Sequence, residues 1–167
     1  MDLIDRAAET LRRIANATLA TVSPDRRPWN SPIFVAWSRT HTIYWSSQRD
    51  AVHSQNIAAN PEVFLVVFDS TCPDQSGQAV YIRAAAHELR DQSDIQAALD
   101  CIARRKQEQP KPAAEFIGAH PRRVYEAVPS EIWTNVVKME NGHYFDERVP
   151  IDRQSLSITQ SAAPREG

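Results

Sequence analysis

The stretch "IYWSSQRDAVHSQNIAANPEVFLVVFDS", residues 43–70, decides the fold. It opens on "IYWSS", whose aromatic and β-branched residues favour a strand. The segment "AVHSQNIAA" then predicts a short helix that ends before Pro61, because proline cannot continue a helix. The next segment, "EVFLVVFD", is so uniformly apolar that we expect a strand buried on both faces. The stretch therefore predicts a corner in which a short helix connects two strands.

The segments on both sides of this corner predict further strands and two more helices. Upstream, an amphipathic helix over about residues 3–16, capped by Asp2, precedes the strands "TLATVS" and "SPIFVAWS". Downstream lie the long strand "QAVYIRAAAHELR", a helix introduced by Asp91, and "RRVYEAVPSEIWTNVVKMENGHYF", in which "ENG" predicts a hairpin turn. Six or seven short strands without regular βαβ alternation predict an α+β, mainly β fold, with an antiparallel barrel or sandwich and flanking helices.

Length and composition predict a single domain. The chain has 167 residues, of which 42% are hydrophobic, and this is enough for one continuous core. Because the sequence turns polar after Asp152, we place the domain at residues 1–152. Residues 153–167 are expected to form a mobile tail or a segment ordered only against a partner. The sequence has no apolar run that would cross a bilayer and no secretory signal pattern, so we expect a cytoplasmic protein without membrane association.

Common catalytic and metal-binding motifs are absent from the sequence. The glycine-rich dinucleotide loop, the phosphate loop and the G-x-S-x-G elbow of serine hydrolases are all missing. Cys72, Cys101 and the five histidines show no metal-ligand spacing, so no metal site is expected. The net charge of −2 disfavours nucleic acid as a partner. Enzyme chemistry is therefore expected from a bound cofactor, and no side chain is predicted to be catalytic.

The predicted corner has the features of an anion site. Asp50 is expected to cap the short helix, which places His53 and Ser54 near the helix N-terminus. Free amide hydrogens and the helix dipole favour a phosphate group at such a position. Ser46 and Ser47, at the end of the preceding strand, add two hydroxyl groups.

Trp45 extends this prediction to an aromatic ligand, because its ring is large enough to flank another ring. Together with Arg49 and the imidazole of His53, the corner would suit a phosphorylated aromatic molecule. In the alternative interpretation, the two serines and Asp50 only cap the helix and His53 is a surface histidine. Spacing alone leaves both interpretations open.

Three successive segments resemble a known family: "ATLATVSPDRRPWNSPIFVAW", "IYWSSQRDAVHSQNIAANPEVFLVVFDS" and "QAVYIRAAAHEL". They are similar to the pyridoxamine 5'-phosphate oxidase-like family, the FMN-binding split-barrel proteins. The resemblance is close over residues 18–89 and looser in the last third of the chain. It implies a six-stranded antiparallel split β-barrel that forms a homodimer and binds FMN at the subunit interface.

The resemblance also implies which residues contact the cofactor. One strand segment would follow the flavin ring with its main chain, the end of another would lie near the ribityl phosphate, and Gln78 matches a glutamine that reaches the flavin. Trp133 would either cover the flavin from the partner subunit or belong to the core. The implied cofactor-binding residues are Trp29, Asn30, Ser31, Pro32, Ile33, Val35, Trp45, Ser46, Ser47, His53, Ser54, Gln78 and Trp133.

His53 departs from the family pattern, in which this position often carries a lysine or arginine for the FMN phosphate. A histidine with the ordinary pKa of roughly 6.5 would lose its charge near neutral pH, so phosphate affinity is expected to weaken as the pH rises past that value. Arg49 or Arg83 is expected to compensate. The arginine and histidine arrangement by which pyridoxamine phosphate oxidases hold their substrate is not found near the C-terminus, which disfavours that specific activity.

These observations predict an FMN-binding oxidoreductase in which the flavin performs the redox step. Electrons would come from a substrate or from a reduced nicotinamide such as NADH or NADPH. Two alternatives stay open: a relative that binds a deazaflavin or haem in the same groove, and a non-catalytic module that binds or senses flavin.

Overall fold

Eight strands and three α-helices make up the part of the chain that the computed structural model describes, residues 2–72 and 78–158. In chain order they are α1 (Leu3–Arg13), β1 (Asn16–Val22), β2 (Pro28–Phe34), β3 (Ala36–Trp37), β4 (Ile43–Gln48), α2 (Val52–Ala59), β5 (Glu62–Phe68), β6 (Ala79–Glu88), α3 (Gln92–Lys106), β7 (Arg122–Glu140) and β8 (His143–Pro150). Short 3₁₀ helices cover Ala113–Phe116 and Arg153–Ser155.

All strands belong to one antiparallel sheet with the order β2-β1-β5-β6-β7-β4-β3. The 19-residue strand β7 organises this sheet, because it pairs with β6 along one edge and with both β4 and β8 along the other. The two ends of the strand order, β2 and β3, follow each other in the chain and are separated only by Val35. No ladder joins β2 to β3 within the described residues, so the sheet curls without closing.

The predicted fold class is confirmed: the protein is mainly β, with an antiparallel sheet and flanking helices. The sheet contains eight strands where the resemblance implied six. One difference arises at Val35, whose amide donates to the carbonyl oxygen of Ala15 at 2.8 Å and interrupts the run "SPIFVAWS". The other is β8, which pairs with the second half of β7 through the predicted "ENG" turn. Asn141 and Gly142 both have positive φ there, as a two-residue hairpin turn requires.

The helices cover the sheet, and side chains cap two of them. Asp2 caps α1 by accepting a hydrogen bond from the amide of Asp5 at 2.8 Å, and Asp91 caps α3 in the same way through the amides of Ser93 and Asp94. The cap predicted at Asp2 is confirmed, and so is the helix that Asp91 was predicted to introduce. None of the helices in the described ranges has both the length and the apolar character that crossing a membrane requires.

Two hydrophobic clusters form the core. The larger cluster fills the interior of the curled sheet and includes Leu19, Trp45, Leu65 and Ile82, each at most 1% exposed. The smaller cluster lies beneath α3, between that helix and the sheet. Trp45 stacks on Tyr125 with a ring-centroid distance of 5.6 Å, which ties β4 to β7 in the interior.

The chain after Asp152 contributes to the larger cluster. Leu156 is 3% exposed and Ile158 is 7% exposed, and both pack in the barrel interior. His41 adds a contact from its Nε2 to the carbonyl oxygen of Leu156 at 2.7 Å. The polar segment predicted to start at residue 153 is therefore packed as far as Ile158. The rest of that segment, residues 159–167, lies outside the described residues.

Replacing Leu156 by alanine should lower the free energy of unfolding by about 2–5 kcal/mol, because the substitution removes a buried side chain from the core. Urea denaturation followed by tryptophan fluorescence measures the change. Met139, 61% exposed on the β7–β8 hairpin, gives the control: Met139→Ala should stay within about 0.5 kcal/mol of the wild type. Equal stability of the two variants would contradict the packed position of residue 156.

Candidate functional site

The corner between β4 and α2 forms as predicted, but Asp50 does not cap the helix. Helix α2 begins at Val52, and its N-cap is Ala51, which has no side chain able to accept a hydrogen bond. The side chain of Asp50 is exposed, and its backbone carbonyl accepts from the side-chain amide of Gln55. The predicted cap is wrong because the helix starts one residue later than a cap at residue 50 would require. The first amides of α2 therefore lack a side-chain acceptor.

His53 is the centre of a hydrogen-bonded chain that joins β2, β4 and α2. It is 9% exposed. Its Nε2 lies 2.8 Å from the hydroxyl oxygen of Ser47, and its Nδ1 lies 3.2 Å from that of Ser31. Ser31 also accepts a hydrogen bond from the indole nitrogen of Trp29 at 3.0 Å. The structure thus brings together four residues that the resemblance assigned to the cofactor site.

The chemistry of the groups restricts the proton positions along this chain. An indole N–H can only donate, so Ser31 accepts from Trp29. A neutral imidazole has one N–H and one bare nitrogen, so the ring donates to one of its two serines and accepts from the other. In the tautomer with the proton on Nε2, the ring donates to Ser47, whose own hydrogen is then available to an anionic ligand.

Burial lowers the pKa of His53 below the ordinary value of 6.5. The cause is the loss of water around the ring, which disfavours the charged imidazolium. The sequence predicted that His53 loses its charge near pH 6.5, but burial shifts this loss to a lower pH. At pH 7 the imidazole is therefore uncharged. A neutral ring agrees with the hydrogen-bonded chain, in which one ring nitrogen donates and the other accepts.

A groove of about 540 Å³ opens beside this corner, a volume typical of small-molecule sites. One side is polar and comes from the corner, and the other is apolar and comes from α3, Phe34 and Phe116. Its lining residues are Pro32, Ile33, Phe34, Ser46, Ser47, His53, Leu99, Ile102, Ala103, Lys106, Glu108, Gln109, Lys111, Phe116 and Arg122. Three of these side chains are cationic and one is acidic, so the groove favours anions.

Arg122 is a polar residue of this groove that the sequence did not assign to the site, since adjacent arginines before a strand are usually solvated. It is the first residue of β7, and its guanidinium contacts Ser46 twice: Nε donates to the hydroxyl oxygen at 3.2 Å and Nη2 to the carbonyl oxygen at 2.9 Å. The run "PRRVYEAV" shows adjacent arginines, but only the pairing of β4 with β7 brings residue 122 to residue 46.

The two arginines predicted to compensate for the missing cation at position 53 do not line the groove. Arg49 is exposed and does not line the groove. Arg83 forms an ion pair with Glu131 and lies over the ring of Trp133, with its central carbon 5.4 Å from the ring centroid.

The predicted cofactor residues divide into three groups. Pro32, Ile33, Ser46, Ser47 and His53 line the groove directly, and Trp29 and Ser31 join it through the hydrogen-bonded chain. Three predicted residues are interior: Val35 and Trp45 belong to the core, and Ser54 donates to the carbonyl oxygen of Gln48 at 2.8 Å.

The remaining three predicted residues lie away from the groove. Asn30 is exposed on β2, opposite Ala20. Gln78 lies beside Arg6, whose Nε and Nη1 are both 3.1 Å from the amide oxygen when that amide is oriented to accept. Trp133 stacks on Phe64 with a centroid distance of 6.2 Å on the outside of the sheet.

Trp133 and Phe64 belong to a cluster that we call the outer aromatic face, formed by Phe64, Tyr81, Arg83, Trp133 and Arg148. Its aromatic side chains are half-buried, and arginines lie over two of them: Arg83 over Trp133, and Arg148 over Tyr81 at 4.2 Å. The face is thus rich in the residue types that are common at protein interfaces.

Comparison with known proteins agrees with this architecture. The sequence model described as pyridoxamine 5'-phosphate oxidase matches residues 3–135, most of the chain. The chain belongs to the pyridoxamine 5'-phosphate oxidase family. Its match ends within β7, so β8 and the hairpin turn lie beyond the part that defines the family. No curated protein sequence matched the chain.

Several solved structures share this family fold. A protein of unknown function from Agrobacterium tumefaciens is 15% identical with a TM-score of 0.65, and the match covers 79% of this chain and 55% of that one, little more than half its length. An F420 reductase is 21% identical with a TM-score of 0.54, over 75% of this chain and 94% of that one. The haem storage protein HutZ from Vibrio cholerae is 18% identical with a TM-score of 0.63, over 79% and 94%. At these identities the likeness concerns the fold alone.

His53 should make the stability of the protein fall as the pH drops below about 6.5. Because the folded state binds a proton at His53 less readily than the unfolded state, acid favours unfolding. The stabilising contribution is complete above the unfolded pKa and is lost as the pH falls through the lower folded pKa. Urea denaturation at pH 7.5 and pH 5.5 should therefore show a smaller difference for His53→Asn than for the wild type.

His143, exposed on β8, provides the matched control, and His143→Asn should keep the wild-type pH dependence. The same pH dependence in His53→Asn and wild type would show that the buried imidazole does not titrate as described.

Proposed function

We propose that the protein is a homodimeric FMN-binding oxidoreductase whose cofactor lies in the groove beside His53. The observation that carries this proposal is the donor set at the polar end of the groove, next to an apolar wall. A phosphorylated ring system needs both features, and the family match supports the same kind of ligand.

The residues at the polar end fit a phosphate. Ser47 has a hydroxyl hydrogen to donate, Ser46 adds a second hydroxyl, and Arg122 supplies a permanent positive charge beside them. His53 would act in this site as a neutral residue that fixes the orientation of Ser47, since its ring nitrogens already face two hydroxyls. The role of the corner is thus to bind and orient.

The apolar wall fits a ring. Phe34, Leu99, Ile102 and Phe116 would exclude water from one side of it, while the edge of β2 at Pro32 would approach the other. When bound, FMN supplies the electron and hydride transfer. We assign no side chain as a general acid or base, and the electrons would come from a substrate or from NADH or NADPH.

A second copy of this chain is the partner that we assign to the outer aromatic face. Half-buried aromatic rings and arginines on one outer surface of the sheet suit an isologous contact, in which the same patch meets itself. Trp133 and Gln78 lie away from the groove of their own subunit, so they would reach a cofactor only from the partner subunit.

A deazaflavin is the second candidate cofactor, because the structure named F420 reductase has the same fold and the neutral His53 lacks the usual cation. Haem is the third, supported by the fold of HutZ. Haem ligation by His53 would require one of its two serine contacts to break.

Titration of the purified protein with FMN, a deazaflavin and haemin should show saturable binding of FMN, with quenching of flavin fluorescence. Addition of NADH or NADPH should then bleach the bound flavin, and air should restore its absorbance. Preference for either of the other two cofactors would replace FMN in the proposal. Flavin that binds but is not reduced by either nicotinamide or by candidate substrates would favour the non-catalytic module.

Replacing Phe64 by glutamate should convert the dimer into a monomer, because a charge would have to lose water in the middle of the outer aromatic face. Sedimentation velocity measures the mass in solution. Phe145, 51% exposed on the β7–β8 hairpin, gives the control, and Phe145→Glu should remain dimeric. A monomeric wild type, or a dimeric Phe64→Glu variant, would contradict this interface.

A further inference from the structure

The polar end of the groove needs a positive charge that position 53 does not provide. A phosphate monoester carries between one and two negative charges near neutral pH. His53 is neutral there, and the helix amides and serine hydroxyls contribute only partial charges. Three cations line the groove: Lys106, Lys111 and Arg122. Of these, Arg122 forms hydrogen bonds to the corner itself, both of them to Ser46.

Arg122 is held in place by its neighbours. The register of β4 on β7 pairs residue 122 with Gln48, which fixes its backbone at the end of the corner. Its amide donates to Nδ1 of His120 at 3.1 Å. The adjacent Arg123 is 8% exposed and donates to the carbonyl oxygen of Gly118 at 2.6 Å, which braces the loop before β7. The position of Arg122 is therefore preorganised by the fold.

The guanidinium retains donors for a ligand. It has five N–H groups in a planar fork, and the contacts to Ser46 occupy Nε and one hydrogen of Nη2. Nη1 forms no hydrogen bond to the described residues. A guanidinium group often binds a phosphate through two parallel N–H···O hydrogen bonds. Arg122 lines the groove, so its remaining N–H groups could bind a phosphate there.

A second observation points to the same place. The hydroxyl of Ser47 has His53 as its hydrogen-bond partner among the described residues, and in the tautomer with the proton on Nε2 its hydrogen is left to donate to a ligand. Ser47 and Arg122 come from different strands, and both line the groove. Two independent donors therefore converge at one end of the cavity.

We infer that Arg122 is the residue that neutralises the ligand's phosphate, in the role that a lysine or arginine at position 53 would otherwise perform. This inference rests on the proposed function, since FMN is the phosphate carrier named there. It adds a specific cofactor-binding residue that comes from β7 rather than from the helix of the corner.

The test compares FMN with riboflavin, which has the same ring and lacks the phosphate. Fluorescence titration should give Arg122→Gln an affinity for FMN about 10- to 100-fold lower than that of the wild type, the effect of losing charge-assisted hydrogen bonds. Its affinity for riboflavin should be unchanged, which also shows that the groove is still folded. Arg122→Lys should recover part of the loss, because the charge remains without the planar fork.

Arg49→Gln provides the matched control, since it removes the same charge from an exposed position near the corner. Its affinity for FMN should stay within about threefold of the wild type, because Arg49 does not line the groove and its charge is screened by solvent. Wild-type affinity in Arg122→Gln, or equal losses in the Arg49 and Arg122 variants, would overturn the inference and leave the proposed function standing. A wild-type protein that binds no FMN would overturn both.

Discussion

The antiparallel pairing of β4 with β7 is the constraint on which the rest of the structure depends. It places Ser46 opposite Val124 and Ser47 opposite Arg123, so the end of β4 is fixed against the start of β7. On the inner side of the same pair, Trp45 stacks on Tyr125 and anchors the ladder in the core. At its edge, Arg122 reaches Ser46. One ladder thus stabilises the barrel and assembles the polar end of the groove, so any change of register would alter both.

His53 illustrates how burial determines the chemistry of such a corner. A charged group at this position would lose its water when the protein folds, and this desolvation costs free energy. In the ligand-free protein no anion is present to offset that cost. A neutral ring between two serines avoids that cost, because it has no charge to desolvate and each ring nitrogen has a hydroxyl as its hydrogen-bond partner. In the proposed site the positive charge comes instead from Arg122, which is exposed and can keep its water in the ligand-free protein. Orientation and charge are therefore divided between two residues from different elements.

Local features of the sequence predicted local features of the structure well. The cap at Asp2, the helix introduced by Asp91 and the hairpin turn at Asn141 and Gly142 depend on neighbouring residues only, and each is found. The cap predicted at Asp50 was wrong: the helix begins at Val52 behind Ala51, although aspartate is intrinsically the better N-cap, so local preference did not decide where this short helix starts.

Features that depend on distant contacts were predicted less well. The importance of Arg122 could not be read from its own segment, since its contacts lie on β4. The packing of Leu156 and Ile158 was hidden by the polar residues around them. The family resemblance correctly indicated the strand residues that line the groove. It also implied that Trp45 lies near the ligand, whereas in the structure Trp45 belongs to the core. Alternation along β4 allows either face to be the inner one, and only the finished sheet decides.

The long separation of the paired segments has a consequence for synthesis of the protein on the ribosome. Ser46 and its partner Val124 are nearly half the chain length apart, so β4 has no neighbour on that edge while the first hundred residues emerge. The groove therefore cannot exist on a partly translated chain, even though most of its polar corner is made early. The proposed cofactor could bind only after β7 has left the exit tunnel, and until then the strand edge of β4 is exposed to the machinery that protects nascent chains.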